Sequence, residues 1–290
     1  MKSARAFVLA VGTLGCEESL KPVDLIEEPR LLGARVEVVG DPERAAPAPG
    51  ETVTVTLLLA APESLASVGY AVVACAASDA RGRPQCAGND FFEASGFAMA
   101  DEPVRFAFQV PRRLASEARV LLRGAVCPSA KASEDRTCHG ELGKPFTLDL
   151  ELARDGDVNR NPSLQPSSVR FDGRPWSDES PGTNDCADAA IPQVTVGSRH
   201  DMAIQIDEAD RDALPRASEL DPDRESLQLS HFATAGELDR AFESIAWNRH
   251  ELLRTTSFAA PNEPGLVRFW IVLRDLRGGA DFVSRFACVR

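Results

Sequence analysis

Lysine is scarce: four residues stand against twenty-eight arginines among 290. That is a codon-level trait of GC-rich genomes and says nothing about function. The more informative absences concern chemistry. There is no GxSxG, SxxK, HExxH or P-loop sequence, which removes the commonest hydrolase, metalloprotease and nucleotide-binding signatures. No CxxC pair exists, which argues against a zinc site. The four histidines, His139, His200, His231 and His250, are scattered without metal-ligand spacing. No apolar run approaches the roughly 20 residues of a membrane-spanning helix. No stretch joins a long helical period to helix caps, which removes helical bundles. Positive charge is in deficit, with a net charge of −12. Such a surface repels phosphate backbones, so no nucleic acid is expected as a partner.

The N-terminus opens with two cations, Lys2 and Arg5, then an uncharged run over 6–14, then Gly15-Cys16. A cationic start, a short apolar run and a small residue at its end form a secretory signal. Thr13-Leu14-Gly15-Cys16 resembles the lipobox of bacterial lipoproteins, although Thr13 stands where that family prefers leucine. The resemblance implies cleavage before Cys16 and a diacylglyceryl thioether on it. Loss of Lys2 and Arg5 would take the charge from −12 to −14. Glu17, rather than Asp, follows the cysteine, which in that family leans towards the outer membrane. The expected location is therefore the cell envelope, with the chain held to the membrane by its lipid.

Setting Cys16 aside leaves Cys75, Cys86, Cys127, Cys138, Cys186 and Cys288. An even number in an exported chain reads as disulfides. Cys75 and Cys86 flank ten residues, as do Cys127 and Cys138, and each pair closes a polar loop after an apolar run. The favoured scheme is therefore Cys75–Cys86, Cys127–Cys138 and Cys186–Cys288. A competing pairing joins Cys75 to Cys127.

Strand signals begin near residue 34. Segments 34–38, 52–57, 104–110 and 146–152 alternate, while 69–77 and 119–126 are apolar throughout, as buried strands are. A second series covers 168–171, 194–196, 202–206, 227–232, 267–273 and 282–289, separated by long polar loops at 173–186, 207–224 and 237–256. Short strands divided by turn residues indicate antiparallel sandwiches. The expected fold is all-β: two tandem Ig-like antiparallel β-sandwiches after a signal and lipid-anchor segment. The boundaries are a signal peptide at 1–15, the lipidated cysteine and a flexible tether at 16–31, sandwich one at 32–154, a linker at 155–166 and sandwich two at 167–290. Segments 230–237 and 268–279, with Asn159-Arg160-Asn161-Pro162, resemble uncharacterised predicted lipoproteins of the myxobacterial type. That resemblance implies architecture and location and brings no activity with it.

Two features bear on ligands. Asp155, Asp157, Asn159 and Asn161 alternate along the linker, as oxygen ligands do in Ca²⁺ loops. The glycine and the closing glutamate of an EF-hand are missing, and the bland alternative is a solvated linker of Asx turns. Trp176 and Trp247 fall in loops, where an exposed indole serves as a contact. Trp270 falls in a strong strand and reads as core. Together these point to a non-enzymatic envelope lipoprotein acting as a structural or protein-binding module, with an envelope or surface protein as partner and no cofactor. The alternative is a calcium-dependent adhesion or carbohydrate-binding module.

Overall fold

The computed structural model describes residues 22–63, 65–80, 83–99, 102–114, 119–128, 138, 143–153, 158–177, 186, 190–214 and 222–290. Cys16, Asp155, Asp157 and His139 lie outside them. Among the described residues there are only strands and two short 3₁₀ turns, Pro166–Ser168 and Glu208–Asp210, and no helix long and apolar enough to cross a membrane.

The first sandwich opposes two sheets. One consists of β1 (Arg30–Val38), β2 (Thr52–Ala60) and β6 (Val104–Gln109), in that order. The other is built on β3 (Ser67–Ala80), flanked by β7 (Arg119–Pro128) and then β8 (Lys144–Glu151). On the outer side of β3 lie β4 (Arg83–Cys86) near its end and β5 (Phe92–Met99) near its start. This is an immunoglobulin-like arrangement, with β1, β2 and β6 facing the remainder. β6 shows the physical logic directly. Val104, Phe106 and Phe108 point inward and the residues between them point to water, because side chains alternate along an extended chain. At the centre, Gly124 is the one residue that fits between β3 and β8. A Cβ there would sit 2.3 Å from the Ala71 carbonyl oxygen and 2.8 Å from the Phe146 ring.

The second sandwich repeats the plan with more strands. One sheet runs β10 (Arg174–Pro175), β9 (Val169–Phe171), β12 (Arg199–Gln205), β16 (Leu253–Ala259) and β14 (Glu237–Leu238). The facing sheet runs β11 (Gln193–Val194), β18 (Ala280–Val289), β17 (Gly265–Arg274), β13 (Leu227–Ala233) and β15 (Phe242–Ile245). β11 pairs parallel to the last strand and all other pairs are antiparallel. Trp176, Phe258 and Phe269 fill the centre of the core.

Two expectations need correction. The polar stretch 237–256 is not one loop, since it holds β14, β15 and the start of β16. The 16–31 tether is not flexible throughout. Residues 22–29 dock on the second sandwich, where Ala233 N–H donates to the Asp24 carbonyl (3.0 Å) and Ile26 N–H donates to the Ala233 carbonyl (2.8 Å).

The disulfides Cys75–Cys86, Cys127–Cys138 and Cys186–Cys288 are formed, with Cα–Cα distances of 5.5, 5.5 and 5.3 Å. The competing Cys75–Cys127 bond is excluded by register. Cys75 lies opposite Leu121 and Cys127 opposite Gly69, so the two are six residues, roughly 20 Å, apart along the strands.

Candidate functional site

The junction between the sandwiches gathers most of the residues that the sequence singled out. Its apolar part is a closed cluster of Ile26 from the docked N-terminal strap, Leu32, Leu58 and Ala60 from the first sandwich, and Phe232, Trp270 and Val272 from the second. Trp270 is therefore core, but the core of the junction. Beside this cluster a crevice of about 270 Å³ opens, lined by Leu57, Leu59, Met99, Trp270, Phe282 and Phe286. β5, whose ladder among the described residues runs only with β3, borders it and exposes Phe97 and Met99.

The polar part is a clamp on the linker. On one side the linker pairs with the first sandwich: Ala45 N–H donates to Asn159 O (2.9 Å) and Asn161 N–H donates to Glu43 O (2.6 Å). On the other side three carboxylates of the second sandwich accept its backbone N–H groups. Arg160 donates to Asp212 (2.6 Å), Ser163 to Asp210 (2.8 Å) and Leu164 to Asp281 (2.7 Å). The acidic stretch 207–212, read as part of a polar loop, thus has a structural task. Asn161 spans the junction by itself. Its amide donates to Val36 O (2.6 Å) in the first sandwich, and its Oδ1 accepts from Ala280 N–H (3.1 Å) in the second. Asn159 donates to Arg277 O (3.2 Å). Two of the four candidate calcium ligands are therefore engaged between the sandwiches, and Asp155 and Asp157 lie outside the described residues.

Behind the clamp sit two buried carboxylates. Asp275 accepts from the N–H groups of Arg277 (2.7 Å) and Gly279 (2.9 Å). Glu225 accepts from the Arg277 guanidinium at 2.5 Å. Burial, with the Asp275 charge next, pushes Glu225 up to about 7. Burial pushes Asp275 up to about 6, against the lowering pull of its backbone donors. Burial also raises Asp210. Arg35 of the first sandwich closes the junction with an ion pair to Asp281 at 3.0 Å.

The remaining candidates separate. Trp176 is buried rather than exposed: its Nε1–H donates to Phe286 O at 2.8 Å and its ring packs on Phe171 and Phe269. Trp247 is half-buried and donates its backbone N–H to Ser226 Oγ. His250 is exposed in a loop. His231 points into the core of the second sandwich, where neither ring nitrogen makes a well-formed hydrogen bond and the Arg240 backbone offers only a marginal one. Burial pulls its pKa down to about 4. His200 lies in β12 between Ser198 and Asp172. None of Glu225, Asp275, Ser198 and Asp172 carried a sequence signal, because burial and the Glu225–Arg277 and Asp172–His200 contacts depend on segments distant in the chain.

No known family model and no curated protein matches the sequence. Among solved structures, Escherichia coli alpha-2-macroglobulin activated by porcine elastase aligns at 12% identity over 90% of this chain and 22% of its own length, with a TM-score of 0.23. Spo0M, a sporulation control protein from Bacillus subtilis, aligns at 9% identity over 88% of this chain and 90% of its own, with a TM-score of 0.24. The chain spans about a fifth of the length of the alpha-2-macroglobulin chain it is similar to. The fold assignment rests on the strand order itself.

Proposed function

We propose that the protein is a lipid-anchored cell-envelope module that presents a fixed two-sandwich surface to a protein partner. The observation that carries this reading is the docked strap. Residues 22–29, which lead from the lipobox-like cysteine, hydrogen-bond to the second sandwich and enter the first at β1. A lipid on Cys16 would therefore tether the two sandwiches to the membrane as one joined unit. The contact face favoured by the geometry is the edge of β5, with exposed Phe97 and Met99 beside the apolar crevice, since an open strand edge offers a partner both hydrogen bonds and side-chain contacts.

Two measurements test it. Radiolabelled palmitate should enter the native chain, and Cys16→Ser should abolish both the label and membrane association. A photo-crosslinking amino acid at Phe97 should give a discrete adduct in intact cells, while one at Val39, which is exposed at least as much, should not. Unchanged membrane association in the Cys16→Ser protein would overturn the anchor, and equal crosslinking at both positions would overturn the contact face.

A further inference from the structure

Ser198, His200 and Asp172 form a hydrogen-bonded chain at the loop end of the second sandwich. Ser198 Oγ lies 2.6 Å from His200 Nε2, and His200 Nδ1 lies 2.7 Å from Asp172 Oδ2. The second carboxylate oxygen, Oδ1, accepts the Asp201 N–H at 3.0 Å, which fixes the carboxylate plane. The His200 ring stacks on Phe171 with centroids 5.3 Å apart, which fixes its tilt. Burial alone would raise Asp172, but the hydrogen bonds from His200 and the Asp201 N–H, with the charges of His200 and Arg174, outweigh it and hold the carboxyl below its ordinary range.

Two parts of the chain supply the groups. Asp172, with φ 49°, and Gly173, with φ 76°, form the two-residue turn of the β9–β10 hairpin, a conformation that Asp-Gly suits. His200 is in β12. Ser198 ends a tight turn held by three backbone bonds, Val196 N–H to Arg290 O, Gly197 N–H to Pro261 O and Ser198 N–H to Thr195 O. Nucleophile, base and orienting acid within hydrogen-bond reach are recognised by geometry and role, whatever their order in the chain.

We propose that Ser198 is an activated nucleophile that accepts the acyl group of short, accessible acyl esters. Ser198 Oγ attacks the ester carbonyl carbon while its proton passes to His200 Nε2. Collapse of the tetrahedral adduct breaks the ester C–O bond, and the alcohol departs with that proton. Water, deprotonated by the same Nε2, then displaces the acyl group as a carboxylic acid and the hydrogen returns to Ser198. The backbone donor proposed for the developing oxyanion is the Arg199 N–H. Ala260 N–H bonds Ser198 O at 2.8 Å, so the N–H of Arg199, one residue on, turns to the opposite edge of β12, where β9 has already reversed at Asp172 and Gly173. One donor where efficient enzymes use two predicts slow turnover. The Thr195 carbonyl, which also binds Ser198 Oγ, competes with Nε2 for the hydroxyl proton and slows it further. Ser198 is half-buried beside an exposed turn at 195–197, so short, accessible acyl groups suit it best. This capability is separate from the display role and does not rest on it.

The test uses the full mature chain with a fluorophosphonate probe and p-nitrophenyl acetate. Mass mapping of the wild-type adduct should place the phosphonyl group on Ser198. Ser198→Ala should remove it, and His200→Ala should slow both reactions at least about a hundredfold, the scale of a lost general base. Asp172→Asn should slow them less. The proposal fails if the wild-type adduct maps to another residue, if no adduct forms, or if His200→Ala labels as fast as wild type, which would make Ser198 an ordinary surface hydroxyl. The wild-type map decides even if a variant does not fold.

Discussion

Single residues hold this molecule together where chain segments meet. Asn161 is the sharpest case. It satisfies Val36 O on one sandwich and Ala280 N–H on the other, so Asn161→Ala leaves two buried backbone groups unpaired. The expected loss is about 2–4 kcal/mol, taking the usual cost per orphaned group, and chemical denaturation checks it. Gly124→Ala should also destabilise, by about 1–3 kcal/mol, because the new methyl meets backbone at 2.3 Å rather than a movable side chain. Buried titrating groups give stability a pH dependence of opposing signs. His231 binds its proton at about 4 when folded, against 6.5 ordinarily. The unfolded chain therefore takes up that proton first, and stability falls by roughly 3 kcal/mol as pH drops from about 6.5 to about 4. Glu225, raised to about 7, and Asp275, raised to about 6, act the other way. For them the folded chain takes up the proton first, so stability rises as pH falls from about 7 towards 4. His231→Leu should therefore raise melting temperature at pH 4.5 relative to wild type, and Glu225→Gln should raise it at pH 8. Asn159 and Asn161 were read from the sequence as oxygen ligands for calcium, whereas here both donate through their amide nitrogens and Asn161 Oδ1 accepts a backbone N–H. The partners are the backbone of folded segments far away in the chain, which no local pattern encodes.

Among elements, the disulfide-bearing strands were the easiest to read and the less hydrophobic strands β5 and β16 the hardest. Cys75–Cys86 and Cys127–Cys138 each close a separation of 11 residues, whereas Cys186–Cys288 closes 102. In the chain-entropy account the short loops contribute about 3 kcal/mol each and the long one about 5. Replacing Cys186 and Cys288 with serine should therefore lower the melting temperature more than replacing Cys75 and Cys86, as read by calorimetry under non-reducing conditions. β6 was legible because one face of it is buried and the other wet, and the sequence alternates accordingly. β5, with its Ala, Ser and Gly, and β16, with Arg and Thr, carry little hydrophobic signal. They are strands because β3 and β12 offer them hydrogen bonds along their whole length, and pairing of that kind is a property of two segments rather than one.

As a whole the molecule is two sandwiches joined by an apolar cluster, a clamped linker and a docked strap. Such a junction should make the two unfold together. Calorimetry of the wild type is expected to show one transition. Trp270→Ala, which empties the centre of the junction cluster, should cost about 3–5 kcal/mol and split the trace into two. A wild-type trace already split in two would show that the junction does not couple them.

The sequence by itself determined the fold class and the strand-rich halves and favoured the disulfide scheme that formed, because alternation, apolar runs and loop spacings are local and survive without knowledge of the rest of the chain, whereas register excluded the competing Cys75–Cys127 pair. Only the tertiary structure decided where the polar residues work. It placed the 207–212 acids against the linker backbone, buried Trp176 and Asn161, docked residues 22–29, and set Asp172, Ser198 and His200 within hydrogen-bond reach. Each of these depends on which segments the sandwich brings side by side, and that is settled by sheet order and register across the whole chain.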